Sequence, residues 1–200
     1  MEQRLQPRRT LIVRTLILTC SLLLSCAVSA QTAPASQIQT DLRNALIGDW
    51  VGVLEYRDYS EPPTSTKRVD LPTWLSITAN GPALSEHFIY DDGPAKTVDS
   101  TDTVTLDPAA GLYTETSAGK AAQVYKVTGY DKLKSGRGEL VLSGAGTDND
   151  KPAEIRMTLT IRRNLLTWTE ETRPAGSSEA FAFRHAYRFT RAKAPTVTSP

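Results

Sequence analysis

The chain holds very little of the chemistry that sulfur and imidazole provide. It has two cysteines and two histidines in 200 residues, and both cysteines, Cys20 and Cys26, lie near the N-terminus. Two cysteines cannot build a disulfide scaffold. With none beyond Cys26, everything downstream excludes thiol catalysis and thiolate metal sites. A surplus of one charge is also missing: 23 basic residues stand against 22 acidic ones, for a net charge of +1. That excludes an extended nucleic-acid-binding tail. No apolar run reaches the length of a membrane-spanning helix. No phosphate loop, dinucleotide fingerprint, nucleophile elbow or HExxH spacing occurs. What is present is ordinary: 40% hydrophobic, 22% charged and 7% aromatic residues, which fits one globular domain and neither a coiled coil nor a collagen-like chain.

Residues 1–30 read as an address. Arg4, Arg8, Arg9 and Arg14 form a basic start, Leu16 to Leu24 an apolar stretch, and Val28-Ser29-Ala30 the small residues a signal peptidase recognises. This is the layout of a cleaved secretory signal peptide, with cleavage after Ala30. Leu23-Leu24-Ser25-Cys26 offers a lipoprotein alternative, in which a lipidated Cys26 would place the protein on a membrane surface. Arg8-Arg9 also fits a twin-arginine export signal, although a plain basic start explains it as well. The first 30 residues carry four of the basic residues and one acidic residue, so the remainder has a net charge of −2. A mildly acidic exported chain argues against nucleic acid or anionic lipid as the main partner. The expected location is periplasmic or secreted.

Residues 31–40 are small and polar and read as a tether. Thr40 or Asp41 is the expected cap of a short helix that carries Leu42, Leu46 and Ile47 and stops at Gly48. From Trp50 onward the apolar period becomes two. The pattern predicts strands at 49–59, 67–79, 84–92, 96–106, 111–118, 121–131, 137–145, 153–163, 165–173 and 179–191. Turn residues separate them, among them Glu61-Pro62-Pro63, Asn80-Gly81-Pro82, Asp92-Gly93-Pro94 and Pro174-Ala175-Gly176. Short connections require antiparallel neighbours. In the predicted eighth strand Ile155, Met157, Leu159 and Ile161 share one face. In the last, Phe181, Phe183, His185, Tyr187 and Phe189 are in phase. So many half-buried strands need closure to remove exposed edges. The expected fold is all-β: an antiparallel meander barrel of about 8–10 strands over residues 41–191, with a short N-terminal helix and a flexible tail at 192–200.

A resemblance begins at Gly48-Asp49-Trp50. A Gly-x-Trp opening the first strand after a short helix resembles the start of the lipocalin-like (calycin) barrels. The resemblance implies that an arginine near the end of the last strand packs over the tryptophan and closes the barrel base. Arg191 has the parity for that role and Arg188 does not. Antiparallel pairing of the first and last strands would then bring Tyr56 and Asp58 toward His185 and Phe183. Gly48-x-Trp50-x-Gly52, with Tyr56 and a histidine in the final strand, is also similar to the nitrobindin-like haem barrels, which implies haem on His185. The sequence departs from that pattern at Leu54, where glycine is expected, and after Tyr56, where no proline follows.

The leading functional reading is an exported barrel that binds a small, largely apolar molecule, lined by Leu54, Tyr56, Asp58, Phe181, Phe183, His185 and Tyr187. It assigns no catalytic residue, no metal and no cofactor, with haem on His185 as an alternative. A barrel plugged by its own side chains, or an enzyme using His185, are the other readings. The plainer role for His185 is a buried imidazole hydrogen-bonded to Tyr56 or Asp58. His87 takes the phase opposite Phe88 and Tyr90 and is expected in solvent. In Glu55-Tyr56-Arg57-Asp58-Tyr59, Arg57 and Asp58 would hold a polar ligand or form surface ion pairs. Glu170 and Glu171 are adjacent on a strand and so face opposite ways, which spoils a paired-carboxylate site. Thr147-Asp148-Asn149-Asp150 lacks the glycine and terminal glutamate of a calcium loop and reads as a polar turn.

Overall fold

The computed structural model describes residues 33–62 and 65–193. The expected signal peptide at 1–30, with Cys26, and residues 194–200 lie outside the described residues. Helix α1 (Ala35–Leu46) is followed by ten strands: β1 (Gly48–Arg57), β2 (Arg68–Asn80), β3 (Ala83–Asp91), β4 (Thr97–Asp107), β5 (Leu112–Ser117), β6 (Gln123–Thr128), β7 (Gly138–Asp148), β8 (Lys151–Ile161), β9 (Leu165–Pro174) and β10 (Ala182–Arg191). Each strand pairs antiparallel with its sequence neighbour, and β1 pairs with β10 to close the barrel.

The helix starts earlier than the sequence reading placed it. Its N-cap is Pro34, so Thr40 and Asp41 are interior residues and not caps, and residues 35–40 are helix and not tether. The reason is Ile38, one turn before Leu42, which extends the buried stripe through Leu42, Ala45 and Leu46. Thr40 is accommodated by donating from Oγ1 to the Ser36 carbonyl at 2.9 Å.

The helix covers one end of the barrel. Gln39 donates to the Leu106 carbonyl at the end of β4 (2.6 Å). Arg43 donates to the Ala83 and Gly81 carbonyls of the β2–β3 hairpin (2.7 and 2.9 Å). Leu42 and Leu46 are buried against Leu75, Ile77, Leu84 and Leu106 of the barrel interior. Each fully buried leucine contributes about 1.5–3 kcal/mol in transfer free energy.

Three local features differ from the predicted strand pattern. The stretch expected between the seventh and eighth strands is a tight hairpin. Asn149 (φ 50°) and Asp150 (φ 60°) both adopt left-handed backbone, the two-residue turn whose twist matches the strands it joins. The sixth strand ends early, because Gly129 (φ 100°) turns the chain into a single 3-10 turn at Tyr130–Lys132. The third difference bears on the site. In β10, Phe183 pairs with Glu171 and His185 with Glu170, which leaves Arg184 as a bulge. A bulge inserts one residue and reverses the phase beyond it. Phe181 and Phe183 therefore do not share a face with His185.

The first strand needs its glycines. A Cβ on Gly52 would lie 1.9 Å from the Arg188 carbonyl oxygen of β10, a contact with backbone that cannot rotate away. Gly52→Ala is expected to prise β1 from β10 and to lower stability by about 1–3 kcal/mol. A urea midpoint equal to that of the parent protein would refute this.

Candidate functional site

At the helix-covered end, the base is one assembly. Trp50 opens β1 fully buried, and its indole Nε1 donates to the Leu46 carbonyl at 2.9 Å. Arg191 pairs across from it, and its guanidinium carbon lies 4.1 Å from the indole ring centre. The same guanidinium donates to the Ile47 and Ala45 carbonyls at 2.9 and 2.7 Å. Those carbonyls end α1 and have no partner within the helix. Gly48 (φ 135°) leaves the space: a Cβ there would stand 2.4 Å from Arg191 Nη1. The Gly-x-Trp motif is thus a seat for an arginine that caps a helix.

The opposite half of the barrel interior contains a cavity of about 170 Å³. Its walls are aromatic: Phe88, Tyr113, Tyr125, Trp168 and Tyr187. The rings hold one another in place. Trp168 and Tyr187 have centroids 4.8 Å apart, and Phe88 lies 5.5 Å from Tyr187. Tyr187 and Tyr90 share a hydroxyl–hydroxyl hydrogen bond of 2.9 Å.

Among these rings stand carboxylates. Glu86 of β3, Asp102 of β4, Glu115 of β5 and Glu170 of β9 all line the cavity. Glu86 and Asp102 are directly opposed across the β3–β4 ladder. Glu170 is neutralised: it accepts from Arg184 Nη1 at 2.7 Å, and His185 Nε2 is 3.7 Å away. The Arg184 bulge is what turns this guanidinium toward the interior. Among the described residues, Glu86, Asp102 and Glu115 have no salt bridge and no side-chain hydrogen bond. Glu86 is 5% exposed, and Asp102 Oδ1 is buried without a partner.

Unpaired charge in such a place is costly, so Glu86 and Glu115 are held above the usual carboxylate range. Burial, reinforced by Glu115 and Asp102, pushes the Glu86 carboxyl up to about 8. Burial and then Asp102 and Glu170 raise Glu115 to about 7, against a small opposing effect of Lys120. His185 is held below its ordinary value by burial, which outweighs the attraction of Glu170. Burial also raises the Tyr113 and Tyr187 phenols well above their usual range.

Toward the solvent the cavity adjoins a vestibule of about 390 Å³. The two share Glu115, Tyr125, Glu170 and His185. Lys120, Gln123 and Arg184 complete the outer wall. Asp148, from the β7–β8 hairpin, ties the rim together. It accepts from Thr172 Oγ1 (3.0 Å) and the Tyr59 hydroxyl (3.2 Å), with Arg184 at 3.6 Å and Arg57 at 3.7 Å.

Of the residues proposed from sequence for a ligand pocket, His185 and Tyr187 line the cavity. Tyr56 sits across the ladder from His185 and Leu54 across from Tyr187, both half-buried, and neither is part of the cavity wall. Asp58 forms no hydrogen bond or ion pair with His185 among the described residues. It is held in the loop after β1 by Ser60 and by Lys67 (3.0 Å), and those hydrogen bonds keep its carboxyl down to about 2. Phe183 and Phe181 are the clear corrections. With the phase reversed, Phe183 stacks under Arg68 (4.6 Å), and Phe181 is sandwiched between Arg156 (4.4 Å) and Arg173 (4.6 Å).

The other polar stretches resolve simply. His87 is exposed and 3.0 Å from Asp99. Glu171 faces outward to Arg156 at 2.7 Å. Glu55 pairs with Arg188. The inward acids Glu86, Asp102 and Glu115 were missed. The signal was their parity: Glu86 is in phase with Leu84 and Phe88, Asp102 with Val104 and Leu106, and Glu115 with Tyr113.

The haem implied by the nitrobindin-like resemblance does not fit the cavity residues. A cavity of about 150 Å³ holds benzene. The inner cavity, near 170 Å³, has room for a single small ring, so the four pyrroles of a porphyrin do not fit inside it.

Several solved structures are similar to this chain, two of them as follows. Rv2717c from M. tuberculosis superposes with a TM-score of 0.50 at 14% identity, covering 82% of this chain and 100% of that one. The S-type phycobiliprotein lyase CPES from Guillardia theta gives 0.52 at 8% identity, covering 81% and 99%. These likenesses and the closed ten-stranded antiparallel barrel fit a calycin-like fold. At such identities the likeness is one of fold alone. No family model and no curated protein matches the sequence.

Proposed function

We propose that this chain is an exported barrel that holds one small, largely apolar molecule in the cavity at its open end. The observation that carries the reading is the cavity itself, walled by Phe88, Trp168 and Tyr187 and approached through a polar vestibule. Concave, mostly aromatic sites with a few polar groups are the usual form of a small-molecule pocket. The base half is filled by Trp50, Phe189, Leu140 and Leu166, so within the barrel interior a ligand is left the cavity and its vestibule. The volume matches a molecule about the size of a single aromatic ring. Export rests on the layout of residues 1–30.

One preparation tests both parts. Native mass spectrometry of protein recovered from the extracytoplasmic fraction is expected to give a polypeptide beginning at Gln31 that carries one small molecule. A lipid on Cys26 would move the protein to a membrane surface. Failure to take up any of a panel of single-ring compounds would leave the plugged barrel as the better reading.

A further inference from the structure

The acids in the cavity ask for something the binding reading leaves open. Glu86 is nine-tenths buried and more, lines the cavity, and has no hydrogen-bond or ionic partner among the described residues. Asp102, directly opposite it, has a buried oxygen with no donor. Glu115 projects from the next strand into the same space. A barrel meant to hold only an apolar molecule would gain by having leucine in place of Glu86 and Asp102, because a buried carboxyl oxygen without a donor costs at least as much as a lost hydrogen bond.

We infer that the cavity is built for an organic cation: a protonated primary amine on an apolar body no larger than one aromatic ring. This rests on the binding reading above and specifies its ligand class. An ammonium group has three donors and no acceptor, which matches three acids that lack donors. The surrounding rings suit it equally, since the faces of Trp168, Phe88 and the tyrosines attract a desolvated cation. A bare metal ion fits poorly, because aromatic walls supply no metal ligands. Glu170 is not part of the seat, because Arg184 already neutralises it.

The groups that face Glu86 are Asp102 and Glu115 from β4 and β5, the phenols of Tyr90, Tyr113 and Tyr187, and, toward the mouth, Glu170 with Arg184 and His185. None of the first five groups is cationic. A bound ammonium therefore displaces protons from Glu86 and Glu115, and binding strengthens as the pH rises toward and past their titration range.

The probes are benzylamine and benzyl alcohol, which differ little in size and differ in charge. Isothermal titration of the full processed chain is expected to show benzylamine binding at least about tenfold more tightly than the alcohol at about pH 8. Each tenfold is about 1.4 kcal/mol. Its affinity should fall between about pH 8 and about pH 6, as protons re-occupy the acids. Glu86→Gln and Glu115→Gln should each weaken the amine about tenfold or more and change its affinity far more than that of the alcohol. Equal affinities for amine and alcohol would overturn the cation assignment while leaving a binding barrel in place. Binding of neither probe, with toluene bound, would do the same. Binding of none of the three would overturn both the cation assignment and the binding reading.

Discussion

Trp50→Ala is expected to lower the free energy of unfolding by about 3–5 kcal/mol, the range for removing a large aromatic from a close-packed core. Three contributions are lost together. The ring is 1% exposed, so its removal leaves a cavity under α1. The indole Nε1 no longer satisfies the Leu46 carbonyl. The Arg191 guanidinium loses the face it lies on, an interaction of about 0.5–2 kcal/mol depending on desolvation. Arg191→Ala should be the smaller change alone, yet it strands the Ala45 and Ile47 carbonyls at the end of α1. The two sites share partners, so the double variant should lose less than the sum of the singles. Denaturant melts of the four proteins measure this directly. Strict additivity would mean that the arginine and the tryptophan do not act as one closure.

Arg191→Lys should not rescue the base. Lysine is a point charge on a flexible stem, and it cannot stack on the indole while forking two donors onto two carbonyls.

The division between what the sequence announces and what it hides follows from how each feature is encoded. Periodicity of two is written into every strand, so ten strands and a closed meander are readable before any coordinates. Parity relative to a fixed end is readable too: Arg191 and Trp50 each lie at the end of their strand, and pairing sets them opposite. A bulge has no such signature. Nothing in Phe181-Ala182-Phe183-Arg184-His185 says that Arg184 steps out of the ladder, and one unpaired residue carries two phenylalanines to the wrong side. The helix start was hidden for a different reason. Thr40 and Asp41 have strong intrinsic preference for caps, but the buried contacts of Ile38 outweigh it. The inward acids were legible in principle. Reading them meant letting parity override the prior that carboxylates belong in water, on three separate strands at once.

The second large effect concerns pH. Removing the charge at Glu86 is expected to stabilise the protein in alkali and to do little in acid. In the folded chain this carboxyl titrates near 8, against an ordinary value of 4.5 that the unfolded chain retains. The folded state therefore binds its proton more tightly. The contribution of this proton to stability is complete below about pH 4.5 and is lost as the pH rises through about 8, where the folded carboxyl must ionise. A shift of that size corresponds to a few kcal/mol, on the order of 1.4 kcal/mol per pH unit. Glu115 adds a loss over the lower part of the same window, up to about 7. Asp58 and Glu154 behave in the opposite sense, since hydrogen bonds hold both below their usual range, and they pull stability down only as the pH falls. The difference between Glu86→Gln and the parent cancels those contributions. That difference should be near zero at about pH 4 and reach about 2–4 kcal/mol in favour of the variant at about pH 9. Parallel stability profiles across the range would show that Glu86 is not titrating in an apolar site. An amine in the cavity should shrink the difference from the other side, because a counter-charge beside ionised Glu86 stabilises the parent and leaves the glutamine variant almost unaffected.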